Sequence, residues 1–232
     1  MLEPLKAEVL EANLELVRQG LVIDTFGNAS GISRSDGLVV IKPSGIPYHS
    51  MKPEDLVVTD MEGRVVEGSK RPSTDLPTHL VLYRSFPGIG GVVHTHSRHA
   101  AAWAQAGREI PCLGTTHADY FHGPVPITEP LTADDVATDY EVNIGVLIAL
   151  RFAGLDPARV PGVLVHSHGP FCWGDTARAA SHAAVILEEI ARMALDTVAI
   201  NPAATPIPQF LLDKHFLRKH GPAAYYGQIP RE

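Results

Sequence analysis

Gly90-Gly91-Val92-Val93-His94-Thr95-His96 is a short apolar run that opens on two glycines and closes on a pair of histidines. Valines bounded by glycine read as a buried strand, here Gly90 to Thr95. Side chains two apart on a strand share a face, so His94 and His96 can present two imidazoles to one ion. Gly162-Val163-Leu164-Val165 repeats the pattern and runs into His166-Ser167-His168. Two strand ends, each with a His-x-His pair, can supply three nitrogens to a cation and leave a position open for substrate, the layout of a catalytic zinc site. A single pair also arises by chance among 12 histidines. The recurrence at a second strand end lifts the pattern above that background.

Outward from these strands, helices and further strands alternate in runs. Residues 3 to 19 set Leu5, Val9, Ala12 and Val17 roughly on one helical face, and Gly20 stops that helix. Between Val22 and Glu67 the pattern changes to short β-rich pieces, Leu38 to Ile41, Leu56 to Thr59 and Arg64 to Glu67, separated by Gly, Pro and Asp turns. Such a run predicts antiparallel neighbours. Thr74 or Asp75 can cap a helix that carries Pro77 in its first turn and continues to Phe86. Further helices are predicted at 98 to 106, 134 to 152, 176 to 199 and 209 to 219. Pro202, Pro206 and Pro208 keep the segment after the long helix extended, so the last helix and Tyr225-Tyr226 sit on an arm. With 232 residues, 45% of them apolar, and neither repeat nor linker, one domain spanning 1–232 is expected.

The 19 basic and 26 acidic residues give a net charge of −7, and no Lys or Arg cluster interrupts it. Nucleic acid and anionic membrane are therefore poor partners. A small anionic metabolite remains possible wherever backbone N–H groups, one Lys or a metal supply local positive potential. Cys112 and Cys172 lack the spacing of a disulfide framework or a thiolate metal site, which fits a reducing compartment. Glu3, Lys6, Glu8 and Glu11 interrupt the first residues, so these lack the apolar centre of a signal peptide, and a cytoplasmic location is expected.

Three small, polar turns have the makings of a phosphate cradle: Gly27-Asn28, Lys42-Pro43-Ser44-Gly45 after a predicted strand, and Ser73-Thr74. Each also reads as ordinary turn chemistry. Asp119, within Gly114 to Tyr120, could accept a proton from a substrate hydroxyl or merely cap a turn. His215 and Tyr226 are equally open when taken alone.

Taken together, these stretches resemble the L-ribulose-5-phosphate 4-epimerase branch of the class II aldolase and epimerase superfamily. The resemblance runs through almost the whole chain and is strongest at Ile41 to Gly45, Val93 to His99, Gly114 to Tyr120, Pro161 to Phe171, and Leu212 to His215 through Tyr225-Tyr226-Gly227-Gln228. It implies an α/β fold, a three-layer α/β/α sandwich around a mostly antiparallel sheet. It also implies one divalent metal per subunit, Zn2+, on Asp75, His94, His96 and His168, with His166 in a supporting or packing role. The family's phosphate contacts fall on Asn28, Lys42, Ser44, Gly45, Ser73 and Thr74; Thr74 stands where Ser is common and keeps the hydroxyl. Its acid and base pair falls on Asp119 and Tyr226, with Thr115 and His215 in support. Relatives form cyclic homotetramers in which the C-terminal arm, here 201–232, completes the neighbour's site, so Tyr226 and His215 are expected to act in trans.

The implied reaction interconverts L-ribulose 5-phosphate and D-xylulose 5-phosphate by retro-aldol cleavage and re-addition. A class II aldolase of the fuculose- or rhamnulose-phosphate type is the rival reading, but such enzymes use a Glu as base where this chain has Thr74-Asp75. An adducin-like interaction module on the same fold is a second rival. Such modules lose the metal ligands that this chain retains.

Overall fold

The computed structural model describes residues 2–226. Helix α1 (Glu3–Arg18) leads into strands β1 (Asn28–Ser33), β2 (Leu38–Ile41), β3 (Val57–Asp60) and β4 (Val65–Glu67). Helix α2 (Leu76–Ser85), strand β5 (Gly91–His94) and helices α3 (Arg98–Gln105), α4 (Thr115–Ala118), α5 (Ala133–Ala137) and α6 (Tyr140–Arg151) follow. The chain then forms the hairpin β6 (Gly162–Val165) and β7 (Gly169–Gly174), the long helix α7 (Ala177–Ile200) and α8 (Gln209–His220).

The strands lie in the order β4-β3-β2-β1-β5-β7-β6, and each neighbouring pair is antiparallel. Alternation along β1 shows how the layers form. Gly31 faces Leu5 and Val9 of α1 and Ala177 of α7, whereas the Ser30 hydroxyl on the opposite face meets His79 Nδ1 at 2.7 Å and Tyr83 Oη at 2.8 Å, both on α2. One layer therefore holds α1, α3 and α7, and the other holds α2 with α6 packed against it. Asn13 sews α1 to the sheet: its Nδ2 donates to the Ala29 carbonyl at 3.1 Å and its Oδ1 accepts from Ala29 N–H at 2.9 Å. Buried apolar side chains from both layers and the sheet form one large core, and Cys112, Ala118 and Leu212 form a small separate cluster where α8 meets α4.

The predicted helix over 134 to 152 is two helices. A capping box of Thr132 and Asp135 starts α5. Asn143 Nδ2 then donates to Thr138 Oγ1 and to the Asp135 carbonyl, which a continuous helix would have tied up. Strands β1 and β7 were not predicted as such, because Asn-Ala-Ser-Gly-Ile-Ser and Gly-Pro-Phe-Cys-Trp-Gly are poor in alternating β-formers. Both are central strands, where neighbours on each side override local preference.

His79 and His117 are buried imidazoles. Burial pushes His79 down to about 3 against the opposing pull of Asp75, and pushes His117 down to about 4 although its Nε2 donates to the Gly123 carbonyl. Both folded values lie below the unfolded one, so the stability linked to these neutral rings is complete above about pH 6.5 and is lost as pH falls toward the folded values. Urea unfolding at stepped pH should show the unfolding free energy dropping below about pH 6 by on the order of 1.4 kcal/mol per pH unit for each ring. A flat profile down to about pH 5 would contradict their neutral burial.

Candidate active site

His94 ends β5, and His96 follows in the loop that leads to α3. His168 stands in the β6–β7 hairpin turn, next to Ser167, whose φ of +61° turns the chain back. Strand β7 pairs with β5, setting His94 opposite Phe171 and bringing the hairpin turn beside His96. His94 Nδ1 lies 3.0 Å from the Pro170 carbonyl. A carbonyl only accepts, so Nδ1 carries the hydrogen and Nε2 is left with its lone pair. His94 Nε2 and His96 Nε2 are 3.0 Å apart, and His96 Nε2 and His168 Nε2 are 3.2 Å apart.

Nitrogens bound about 2.0–2.1 Å from one tetrahedral ion stand roughly 3.3 Å from each other, so this trio fits a zinc-like cation. The three residues make a group that could hold a metal ion. The charge state of His168 and His96 suits it. Burial, followed by the neighbouring His94 and His96, lowers His168 to about 4, and desolvation in the cavity, then His94, lowers His96. Neutral imidazoles have free lone pairs at pH 7. Gly169 is required beside them, since a Cβ there would stand 2.7 Å from the Thr95 carbonyl oxygen.

His166 does not share this point. The expected second pair at a strand end is instead part of a hairpin turn, which sends the two rings different ways: His166 Nδ1 bonds Ser167 Oγ at 2.8 Å and its ring rests against Gly107. Asp75 reaches the same cavity from the N-cap of α2, but its carboxylate accepts from Asn28 Nδ2 at 2.6 Å, outside the close trio. Burial raises the Asp75 pKa, and His94, His79 and the Asn28 bond more than offset this, leaving it lowered.

The cradle turns converge on the trio. Asn28 lies opposite His94 in the β1–β5 register. Gly27 (φ +81°) lets that turn close against the strand end, where a Cβ would be 3.0 Å from the His94 carbonyl. Ser44 N–H donates to the Arg71 carbonyl and Ser73 N–H to the Lys42 carbonyl, each at 3.0 Å, zipping the Lys42-Gly45 turn to the segment that carries Ser73 and Thr74. The resulting cavity, about 400 Å³, is lined by Asn28, Lys42, Ser44, Gly45, Ser73 and Thr74 together with Asp75, His94, His96 and His168. Lys42 is buried, its ammonium held by the carbonyls of Thr25 and Pro43 at 3.3 Å and lying over the Tyr48 ring. Desolvation lowers its pKa, against the opposing pull of Asp75.

The remaining candidates gather elsewhere. Asp119, just past α4, accepts from His215 Nδ1 at 3.0 Å and from Arg218 Nη2 at 2.9 and 2.8 Å. Arg218 also packs its guanidinium over the Tyr226 ring, 4.8 Å from the centroid. Thr115 opens α4, one turn before Asp119, whose N–H donates to its carbonyl. None of these residues lines the cavity that holds the trio. Sequence reasoning passed over Phe26, stacked on His96 at 6.0 Å, and Tyr140 and Glu141, which also line the cavity. An aromatic residue inside a polar turn was the available signal for Phe26. Tyr140 and Glu141 were hidden in what read as a continuous helix.

Residues 7–195 match the model of the Class II Aldolase and Adducin N-terminal domain family. The chain belongs to this family. It is 56% identical over 227 residues to L-ribulose-5-phosphate 4-epimerase UlaF of Salmonella paratyphi B (strain ATCC BAA-1250 / SPB7), covering 98% of this chain and 100% of the relative. It is 55% identical, with the same coverage, to the protein of that name from Salmonella typhi. Among solved structures, an L-fuculose 1-phosphate aldolase superposes with a TM-score of 0.78 at 24% identity over 91% of this chain and 94% of that one, a likeness of fold alone. The L-fuculose-1-phosphate aldolase from Thermus thermophilus gives 0.68 at 27% identity, over 88% and 98%.

The different surroundings of the four histidines lead to a direct comparison. His96→Asn should weaken binding of added zinc by more than the roughly 10–100-fold typical of losing an outer partner, whereas His166→Asn should leave it unchanged. Elemental analysis after dialysis, with circular dichroism to check folding, measures both. Equal zinc content in the two variants would rule out the trio.

Proposed function

We propose that the chain is an L-ribulose-5-phosphate 4-epimerase, a metal-dependent isomerase that interconverts L-ribulose 5-phosphate and D-xylulose 5-phosphate. The observation that carries this reading is identity of 56% along practically the whole length to a relative of that name. The 27% identity to a named fuculose-phosphate aldolase favours the aldolase reading much less. Asp75 at the place where such aldolases are expected to use Glu points the same way.

The chemistry fits the residues present. The C–H bond at the inverted carbon is not adjacent to the ketose carbonyl, so simple proton loss cannot invert it. The bond between the third and fourth carbons breaks instead. Its electron pair stays with a dihydroxyacetone fragment, and the fourth carbon leaves as the aldehyde of glycolaldehyde phosphate. A cation held by His94, His96 and His168, with Asp75 beside them, would supply Lewis acidity toward the carbonyl oxygen and its neighbouring hydroxyl. Zn2+ is the proposed ion, given three clustered imidazoles, two of whose nitrogen pairs lie close to tetrahedral spacing.

Asn28, Lys42, the hydroxyls of Ser44, Ser73 and Thr74, and the turn at Gly45 would hold the phosphate, and Asn28 also donates to Asp75. One of Asp119 and Tyr226 would take the proton of the fourth-carbon hydroxyl. After the aldehyde has turned to expose its other face, the second would return one. An anchored phosphate keeps the aldehyde from leaving, which separates an epimerase from an aldolase.

Asp119 and His215 share a hydrogen bond, so they act from the same subunit. Since this cluster lies away from the cavity of its own chain, the reading that suits it is delivery in trans of Asp119 as well as His215 and Tyr226, within a homotetramer. Exposed apolar side chains at the cavity mouth (Phe26) and on α6 (Val142, Val146, Leu150) and α8 (Phe210, Leu217) support such an assembly. The domain is proposed to span 1–232 with 201–232 as the arm, whose residues 227–232 lie outside the described part. No helix among the described residues is long and apolar enough to cross a membrane, and the cytoplasm is the proposed location.

With purified protein and L-ribulose 5-phosphate, xylulose 5-phosphate should form, and a chelator should stop its formation until zinc is restored. Tyr226→Phe should keep its metal and lose on the order of a hundredfold in turnover. Release of free dihydroxyacetone as the main product would assign the chain to the aldolases instead.

A further inference from the structure

Two residues that the proposed reaction needs, Asp119 and Tyr226, come from distant parts of the chain, and the Arg218 side chain hydrogen-bonds the first and packs on the second. Arg218, in the last turn of α8, donates from Nε to Asp119 Oδ1 at 3.1 Å and from Nη2 to Oδ1 at 2.9 Å and Oδ2 at 2.8 Å. Its main-chain carbonyl accepts the N–H groups of Tyr225 at 3.0 Å and Tyr226 at 3.1 Å. Its guanidinium lies over the Tyr226 ring.

We propose that Arg218 is a positioning residue for the epimerisation: its guanidinium fixes the Asp119 carboxylate and its main chain and ring contact fix Tyr226, so that the acid and base pair is presented as one unit. This inference rests on the epimerase reading and on the roles given there to Asp119 and Tyr226.

Other groups around Asp119 cannot replace it. His215 Nδ1 reaches a single oxygen at 3.0 Å. Lys219 Nζ stands 3.7 Å from Oδ2 and is drawn over the rings of Tyr120 and Tyr226. His220 Nε2 donates to the Asp119 main-chain carbonyl, not the carboxylate. On the α4 side, His117 is occupied with the Gly123 carbonyl, and the Tyr120 ring packs on His182. Among the described residues, only Arg218 makes contact with both oxygens at hydrogen-bonding distance, and a planar fork of this kind fixes orientation as well as charge. Burial raises the Asp119 pKa, but the bonds from Arg218 and His215 and the charge of Lys219 bring it below the ordinary carboxylate range. Asp119 is therefore ionised at neutral pH.

The test is the pH dependence of kcat and kcat/KM for Arg218→Gln and Arg218→Lys beside wild type and Asp119→Asn, with zinc content, thermal midpoint and oligomeric state measured on each. Arg218→Gln should lose on the order of tenfold or more in kcat, and its acid limb should move up by about one pH unit or more, because the carboxylate has lost its strongest partner. Arg218→Lys keeps the charge without the fork, so its acid limb should stay near wild type while kcat still falls by on the order of tenfold. Zinc content should not change in either.

Wild-type kcat and an unmoved acid limb in Arg218→Gln would overturn the inference. So would a loss of activity that merely follows lowered thermal stability with no change in the profile. If Arg218→Gln does not fold, Arg218→Lys decides, and wild-type kcat in that variant overturns it. Full turnover in Asp119→Asn would instead remove the underlying role of Asp119, which separates failure of the reaction assignment from failure of the Arg218 inference.

Discussion

The imidazoles of His94, His96 and His168 bring their Nε2 atoms together, His96 lying 3.0 Å from His94 and 3.2 Å from His168, and when all three nitrogens carry lone pairs they repel unless something positive lies between them. Much of the sheet order can be understood as the means of holding that arrangement. Strand β7 inserts between β5 and β6, so Pro170 can fix the tautomer of His94 while the hairpin turn carries His168 to the same point. Phe171 stacks on His94 at 4.2 Å, which prevents the ring from turning away. Proton binding is the competing way to relieve the repulsion, and burial of His168 works against it.

Charge is organised in the same local manner. The chain carries a net −7, yet the cavity floor holds Lys42, a cation removed from water and braced by two carbonyls. The Asp119 cluster likewise sets Arg218, Lys219 and His215 around one carboxylate. Overall acidity therefore says little about affinity for a sugar phosphate, because the interaction is decided within a few ångströms, where screening by solvent is weakest.

The sequence made the cavity more legible than the remainder. Val92-Val93-His94 and Gly162 to Val165 are continuous apolar runs with glycine punctuation, so their burial and the placement of His94 could be read directly. Likeness to a family, and not spacing, distinguished His168 from His166: a His-x-His pair in a hairpin turn does not obey the strand rule, and the positive φ at Ser167 is not visible in the letters. Strand β1 was missed because Asn28, Ser30 and Gly31 are there to serve neighbours, with Ser30 joining His79 to Tyr83 and Gly31 admitting α1. The break at Thr138 was missed for a related reason. It depends on Asn143 reaching back to Asp135 and Thr138, and it turns Tyr140 and Glu141 into the cavity.

The two halves of the proposed site differ in how they are anchored. The cation trio and cradle are fixed by central strands and by the main core, whereas Asp119 follows a four-residue helix held to α8 by Cys112, Ala118, Leu212 and the partly buried Ile207. That apolar contact between α4 and α8 is small, and polar bonds from α8 reach the carboxylate itself. Proton transfer tolerates little displacement; about 1 Å can cost a hundredfold in rate. A fork that spans α4 and α8 and also receives the chain at Tyr225-Tyr226 supplies the order that packing there does not. On the proposed assembly, Asp119 and Tyr226 would be presented to a neighbouring cavity as a preassembled unit, and joining the subunits would need to align only two rigid bodies to complete the site.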